Sequence, residues 1–313
     1  MNFQQLRSVR EAVRRGYNLT EVAEALFTSQ PGVSRQIRDL EEELGVTIFE
    51  RHGKRLTGLT EPGREIARII ERLLVEHENL RTAGQEYSDQ TAGALTIATT
   101  HTQARYALPS VIRQFRRRYP DVKLHLHQSA PHEIAQTVRE GKADIGIATE
   151  ALDGYADLLT FPCYQWNHVV VVPPDHALLD TTPLTLPVLA RHPLITYETG
   201  YTGRPHIDEA FAKQALAPDV VLTAMDADVI KTYVADGLGV GIIASMAYDP
   251  ATDRGLRALE ARHLFATNMT RLAVRRGAYL RGFTYALIEL FAPQLTRSAI
   301  EKVMREQADD YAI

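Results

Sequence analysis

Cysteine is almost missing from this chain: Cys163 is the single one in 313 residues. One thiol excludes an intrachain disulfide and any cysteine-rich metal centre. Tryptophan is as scarce, with Trp166 alone. No apolar run approaches the ~20 residues that cross a bilayer. The opening Met1-Asn2-Phe3-Gln4-Gln5-Leu6-Arg7 lacks the basic, apolar and small-residue zones of an export signal. The cytoplasm is therefore the expected compartment, with no membrane partner. Positive charge is not in excess either, since 35 Lys and Arg face 39 Asp and Glu for a net −4. A chain-wide basic footprint for nucleic acid is excluded, so any such surface has to be basic locally. What remains is the 45% hydrophobic, 24% charged balance of a folded chain. The length suits two or three domains.

Residues 1–60 read as short helices and a hairpin. Leu6, Val9, Val13 and Tyr17 keep helical spacing, with Arg10, Arg14 and Arg15 on another face. Asn18-Leu19-Thr20 opens a second helix carrying Val22, Ala23 and Leu26. Ser29 is placed to cap a third, with Pro31 tolerated in its first turn and Gly45 stopping it. The following stretch, Ile48 to Thr57, predicts two extended pieces around a glycine turn, the shape of a wing.

From Thr60 and Pro62 a long helix is expected over 61–90. Ile66, Ile69, Ile70, Leu73, Leu74, His77 and Leu80 form its stripe. Nothing local is expected to cover that stripe, which predicts a partner copy.

Beyond residue 91 the pattern alternates strand and helix. Strands are expected at 94–99, 122–128 and 143–149, with helices at 107–119 and 131–140. A second set of strands follows at 168–172, 194–197, 220–224 and 240–244, with helices near 205–215 and 226–236. A strand at 272–275 and a helix after Tyr279 close the series. The predicted fold is multidomain: an α winged helix-turn-helix, a linker helix and a two-lobed α/β domain. Lobe I takes 91–163 and 267–295, lobe II takes 164–266, and the tail 296–313 reads as a short charged helix.

In 23–51 the order is Ala23-x-x-Leu26-x-x-Ser29-Gln30-x-x-Val33-Ser34-x-x-Ile37-x-x-Leu40-Glu41-x-x-Leu44-Gly45-x-x-Ile48-Phe49-x-Arg51. Physically these are two helices with facing apolar residues, the second showing Gln30, Ser34, Arg35 and Arg38 outward. Such side chains read base edges and phosphates in a major groove. Thr28, Ser29 and Pro31 at the helix entry, with Lys54 and Arg55 at the wing turn, complete the candidate DNA-binding set.

This pattern closely resembles the N-terminus of LysR-type transcriptional regulators, and the resemblance runs along the whole chain. Further stretches narrow it to the branch of CysB, Cbl and SsuR. They include Thr28-Ser29-Gln30-Pro31-Gly32-Val33-Ser34, Thr99-Thr100-His101-Thr102-Gln103-Ala104-Arg105-Tyr106, Pro162-Cys163-Tyr164, Thr202-Gly203-Arg204 and Asp226-Ala227-Asp228-Val229-Ile230-Lys231. The resemblance implies a two-lobed, periplasmic-binding-protein-like effector domain. It also implies a homodimer or homotetramer that binds double-stranded DNA, meets RNA polymerase, and acts as an activator of sulfur-assimilation and cysteine-biosynthesis genes.

Independently of family, the expected strand ends collect polar residues: Thr100, Thr102 and Gln103, then Ser129, then Thr149. Ligands of open α/β sheets settle at the carboxyl ends of strands, and helix N-termini there suit an anion. These residues can form a neutral hydrogen-bonding cage. The resemblance adds Thr202 from the second lobe, and Tyr164 and Trp166 are placed to give an apolar wall. The implied effectors are O-acetylserine, N-acetylserine, sulfate or adenylyl sulfate, with no cofactor and no metal.

Other readings carry less. Cys163 as an enzyme nucleophile has no partner at a telling spacing. His125 and His127 share one strand face without a third metal ligand. Gly237-Leu238-Gly239-Val240-Gly241 precedes a strand instead of following one, which fits a helix-to-strand turn. A periplasmic solute-binding protein, a regulator of another pathway and a purely oligomerising C-terminal domain are the remaining alternatives.

Overall fold

The computed structural model describes residues 1–53, 55–149 and 151–306. It divides into two compact units: Met1–Tyr87 with Gly277–Tyr279, and a second spanning Ser88–Arg276 and continuing from Leu280.

The first unit opens with α1 (Phe3–Arg14), α2 (Leu19–Ala25) and α3 (Gln30–Leu44). The hairpin β1 (Phe49–His52) and β2 (Arg55–Leu59) and the long α4 (Glu61–Ser88) follow. Asn2 and Gln5 close a capping box on α1, with bonds of 3.0 and 2.8 Å. Ser29 Oγ accepts the Gly32 N–H at 3.2 Å at the start of α3, and Gly45 ends that helix in the left-handed region. Val9, Val22, Val33, Ile37 and Leu40 bury the faces that the three short helices share. Each such side chain contributes roughly 1.5–3 kcal/mol.

The stripe of α4 does have local cover, which corrects the expectation. Ile70 and Leu74 are buried in this same core and Ile66 is partly so. Ile69, Leu73 and Leu80 remain exposed, at 39%, 43% and 74%. The stripe is wider than one interface: α1 takes its near side, where the His77 ring also meets Phe3 at a tilt, with ring centres 4.2 Å apart. Arg14 pairs with Glu71 at 2.7 Å and Arg10 with Glu78 at 3.4 Å, fastening α1 to α4.

The second unit holds two five-stranded sheets. Lobe I contains β3 (Gly93–Thr99), α5 (Leu108–Arg118), β4 (Val122–Gln128), α6 (Pro131–Arg139), β5 (Ile145–Ala148) and β6 (Leu158–Trp166). Lobe II contains β7 (His168–Val172), α7 (Leu186–Leu189), β8 (Leu194–Tyr197), α8 (Arg204–Lys213), β9 (Val220–Ala224), α9 (Ala227–Ala235), β10 (Val240–Ala244) and β11 (Arg257–Glu260). The chain returns to lobe I with β12 (Asn268–Arg275), α10 (Gly282–Phe291) and α11 (Arg297–Glu306). Strand orders are β4-β3-β5-β12-β6 and β11-β7-β10-β8-β9. In lobe I, β3 is parallel to β4 and β5, so their carboxyl ends share one rim.

Several elements differ from the sequence reading or add to it. β6 runs through Pro162-Cys163-Tyr164 to Trp166, and the chain changes sheets at Asn167. Proline is tolerated there because β6 is an edge strand and its pairing with β12 slips beside Pro162. The helix expected from residue 107 is preceded by a wider π turn over Gln103–Ala107. The charged tail packs its α11 onto lobe I, where Ile300 is fully buried and Val303 and Met304 lie against the same core.

Candidate nucleic-acid interface and interlobe cleft

On α3 the polar residues face outward. Thr28, Ser29, Gln30, Pro31, Arg35 and Arg38 are exposed and Ser34 is half-buried. The Arg35 side chain is 81% exposed and only 3.7 Å from Asp39 Oδ2, a loose pairing. Arg38 Nε donates to Ser34 O at 3.3 Å. Arg55 is exposed at the start of β2, and Lys54 lies outside the described residues. A recess of about 310 Å³ among the α1–α2 connection, the start of α3 and the wing is lined by Tyr17, Thr20, Gln30 and Arg55 among others.

One carboxylate of α3 anchors the wing, and a glycine lets α4 close against its base. Glu41 Oε1 accepts the N–H groups of Ile48 (2.8 Å) and Phe49 (3.1 Å), while Oε2 holds Arg51 at 2.8 Å. At the foot of α4, a Cβ on Gly63 would stand 2.0 Å from Ile48 O, so the chains meet there only through glycine. Sequence reasoning quoted Glu41 inside a pattern but gave it no task.

In the second unit the structure brings several candidate residues together across the lobes. Thr102 Oγ1 and Thr202 Oγ1 are 3.5 Å apart, and the two residues are 1% and 4% exposed. Gln103 Nε2 donates to Thr270 Oγ1 at 3.1 Å, and its Oε1 accepts the Tyr164 hydroxyl. Burial pushes the Tyr164 phenol up to about 12, so it stays a donor. The Tyr197 hydroxyl takes the Ala244 N–H at 3.0 Å and meets the Thr102 side chain. The cluster is neutral throughout, and its members are bonded mainly to one another.

Around it stand the strand ends. Thr100 is buried after β3, Thr149 is half-buried after β5, and Ser129 N–H donates to Thr99 O at 3.1 Å after β4. Ser129 Oγ is buried with no partner among the described residues. Glu133 folds back onto the Ala130 N–H at 3.2 Å, so the α6 N-terminus already holds a carboxylate. Trp166 is buried behind the cluster against His168, and its Nε1 has no partner among the described residues.

The sequence reading missed a clasp beside this cluster. The Asp228 carboxylate, on α9 of lobe II, receives Tyr106 OH at 2.7 Å and His101 Nε2 at 3.0 Å, with Arg105 at 3.5 Å, all from lobe I. Lys231 approaches the same carboxylate at 3.4 Å from its own helix. Burial would raise this carboxyl, but the Tyr106 and His101 bonds and the Lys231 ammonium hold it at about 2. His101, Asp226 and Asp228 lie close enough to share a cation. Asp228 is already neutralised by Arg105 and Lys231, so this donor set fits one poorly.

Cys163 is buried in the lobe I core, where burial pushes its thiol up to about 12. That chemistry suits a packing residue, not a nucleophile. His125 and His127 are exposed on the edge strand β4.

Known proteins agree on the family of this chain. The LysR substrate binding domain matches residues 88–296, and the bacterial regulatory helix-turn-helix protein of the lysR family matches 3–64. The HTH-type transcriptional regulator SsuR of Burkholderia cenocepacia is 58% identical, over 98% of this chain and 99% of its own. CysB of the same organism is 53% identical over 100% of both. Among solved structures, the cofactor-binding domain of the Cbl transcriptional regulator superposes with a TM-score of 0.67 at 47% identity. It covers 69% of this chain and 95% of that domain.

Proposed function

The chain belongs to the LysR family of DNA-binding transcriptional regulators, and from that premise we propose that it governs sulfur-assimilation genes in response to a small effector. The effector is an acetylserine or a sulfate-type anion, held between Thr102 of lobe I and Thr202 of lobe II. The observation that carries this reading is the buried pair of hydroxyls, one from each lobe, 3.5 Å apart at the sheet rim. Two hydroxyl donors from separate bodies suit a ligand rich in acceptor oxygens, and such a ligand favours one lobe arrangement by differential affinity. Gln103, Thr100, Ser129 and Thr149 are the neighbouring polar contacts, with Tyr164 and Trp166 supporting from behind. The effector bears no covalent change.

The operator is read by Gln30, Ser34, Arg35 and Arg38, with Thr28, Ser29, Pro31 and Arg55 at the flanking backbone. The protein works in the cytoplasm as a homodimer or homotetramer, and effector-driven changes in the spacing of its reading helices alter DNA bending and RNA polymerase access. Support for self-association comes from apolar surface: Ile69, Leu73 and Leu80 on α4, and Val221 on β9, Met225 on the turn after it, and Val229 and Tyr233 on α9.

Thermal melting against O-acetylserine, N-acetylserine, sulfate, thiosulfate and adenylyl sulfate tests the effector claim. A ligand at hundredfold excess over its Kd adds about 2.7 kcal/mol to the folded state. One of these compounds is expected to raise the melting temperature selectively, with the shift lost in Thr102→Ala. A panel without any shift refutes the sulfur assignment and favours a C-terminal domain that only oligomerises.

A further inference from the structure

The loop that presents Thr202 is held from behind by the two crossings between lobes. His168 opens β7 of lobe II and Asn268 opens β12 of lobe I. The His168 ring is fully buried, edge-on to Trp166 at 5.1 Å and to Phe265 at 5.6 Å. Its Nε2 lies 3.2 Å from the Thr202 carbonyl oxygen, and its Nδ1 lies 3.5 Å from Asn268 Nδ2. A carbonyl oxygen only accepts, so the ring proton sits on Nε2 and Nδ1 is left to accept from the Asn268 amide. Burial holds the ring neutral, with its pKa down at about 4.

The loop itself is under constraint. Thr202 and Gly203 both have left-handed backbones, at φ 39° and 73°. A Cβ on Gly203 would meet Asn268 Oδ1 at 2.3 Å and His168 Cε1 at 2.7 Å, so glycine is what lets the loop reach the crossing. A threonine at positive φ persists where its surroundings over-determine it. Here the His168 bond to its own carbonyl is part of that surround.

We propose that His168 is a positioning residue for the cleft, tying the Thr202 loop to the lobe crossing through the Thr202 carbonyl on one side and Asn268 on the other. The inference rests on Thr102 and Thr202 as the effector pair. Two links then join the lobes: Thr102 to Thr202 at the front, and Asn268 to His168 behind. The Thr202 residue belongs to both, its hydroxyl to the first and its carbonyl to the second. A change at the crossing therefore moves the hydroxyl, and an effector on the hydroxyl biases the crossing.

Two readouts on the full chain test this. Amide hydrogen exchange at Arg204, whose N–H bonds Tyr201 O at 2.8 Å, reports loop order with no ligand present. Titration with N-acetylserine and with sulfate reports the cleft. His168→Phe keeps a ring and removes both hydrogen bonds, whereas His168→Gln returns an amide N–H at similar reach. The expected result for His168→Phe is exchange at Arg204 faster by about tenfold or more, and binding of whichever probe the wild type takes weakened by about tenfold, the size of one buried hydrogen bond. His168→Gln recovers most of both.

Unchanged exchange in His168→Phe overturns the proposal. Fast exchange with wild-type affinity overturns the link to the effector. Thr202→Ala runs alongside: normal binding by that variant sinks the effector-pair reading, while the exchange data still decide the positioning role. Should His168→Phe fail to fold, Asn268→Ala cuts the same relay at its other end and is held to the same exchange criterion.

Discussion

Arg35 and Thr102 represent two opposite ways of preparing a polar group for a partner. The Arg35 side chain is 81% exposed with one loose ion pair, whereas Thr102 is 1% exposed and faces Thr202 and Tyr197. The α3 surface stands in water with only loose local pairings, open to a partner that brings its own charge. The cluster of Thr102, Thr202, Gln103, Tyr164 and Tyr197 keeps its hydroxyls and amide occupied mainly with each other, because an unpaired buried polar group costs about 1–3 kcal/mol. A ligand there must replace protein–protein hydrogen bonds, which makes its binding a choice between two arrangements. The same contrast explains the anchoring: a single carboxylate, Glu41, fixes the wing to its helix, while two lobes need several links.

The largest expected effect probes the buried side. The folded-state pKa of His168 is depressed to about 4, so its contribution to stability is full above the unfolded value near 6.5. That contribution is lost as pH falls from about 6.5 toward 4, because the unfolded chain takes the proton first. Over this window it amounts to something on the order of 3 kcal/mol. Denaturant melts of wild type and His168→Gln as a function of pH check this: the variant should show a flatter acid limb, and parallel limbs would contradict a neutral buried ring.

The exposed side yields a smaller effect of a different kind. Arg35→Ala is expected to weaken operator binding by about 1–3 kcal/mol. Its melting temperature and effector response should stay at wild-type values, since the side chain is mostly in water and makes only a loose surface ion pair. Equal operator affinity in a fluorescence anisotropy titration would mean that α3 presents another face to the groove.

The smallest effect lies between these extremes. Asp228 is partly exposed, so Asp228→Asn should cost less than about 1 kcal/mol after solvent screening. A drop of several kcal/mol on thermal melting would show the clasp to be a pillar of the domain instead of an adjustable contact.

The sequence carried these two surfaces unequally. Helix α3 was legible because its signals are local: Ser29 caps, Gly45 stops, and Val33, Ile37 and Leu40 keep helical spacing. Thr100, Thr102, Gln103, Ser129 and Thr149 were legible as strand ends, a consequence of parallel β3, β4 and β5. Contacts between distant segments left no local trace. Tyr106 and Asp228 are 122 residues apart, and His168 and Asn268 are 100 apart, with nothing in either neighbourhood to announce the other. The α4 stripe was visible as apolar but not as divided, because spacing alone does not say that α1 covers one side of it.

The central claim is that one effector is held by a hydroxyl from each lobe. Isothermal titration of the stabilising compound into wild type, Thr102→Ala and Thr202→Ala tests it most directly. The account predicts that each single variant, altered in a different lobe, loses about tenfold or more in affinity while still binding operator DNA. Wild-type affinity in either variant would contradict it, by leaving the ligand in contact with one lobe only.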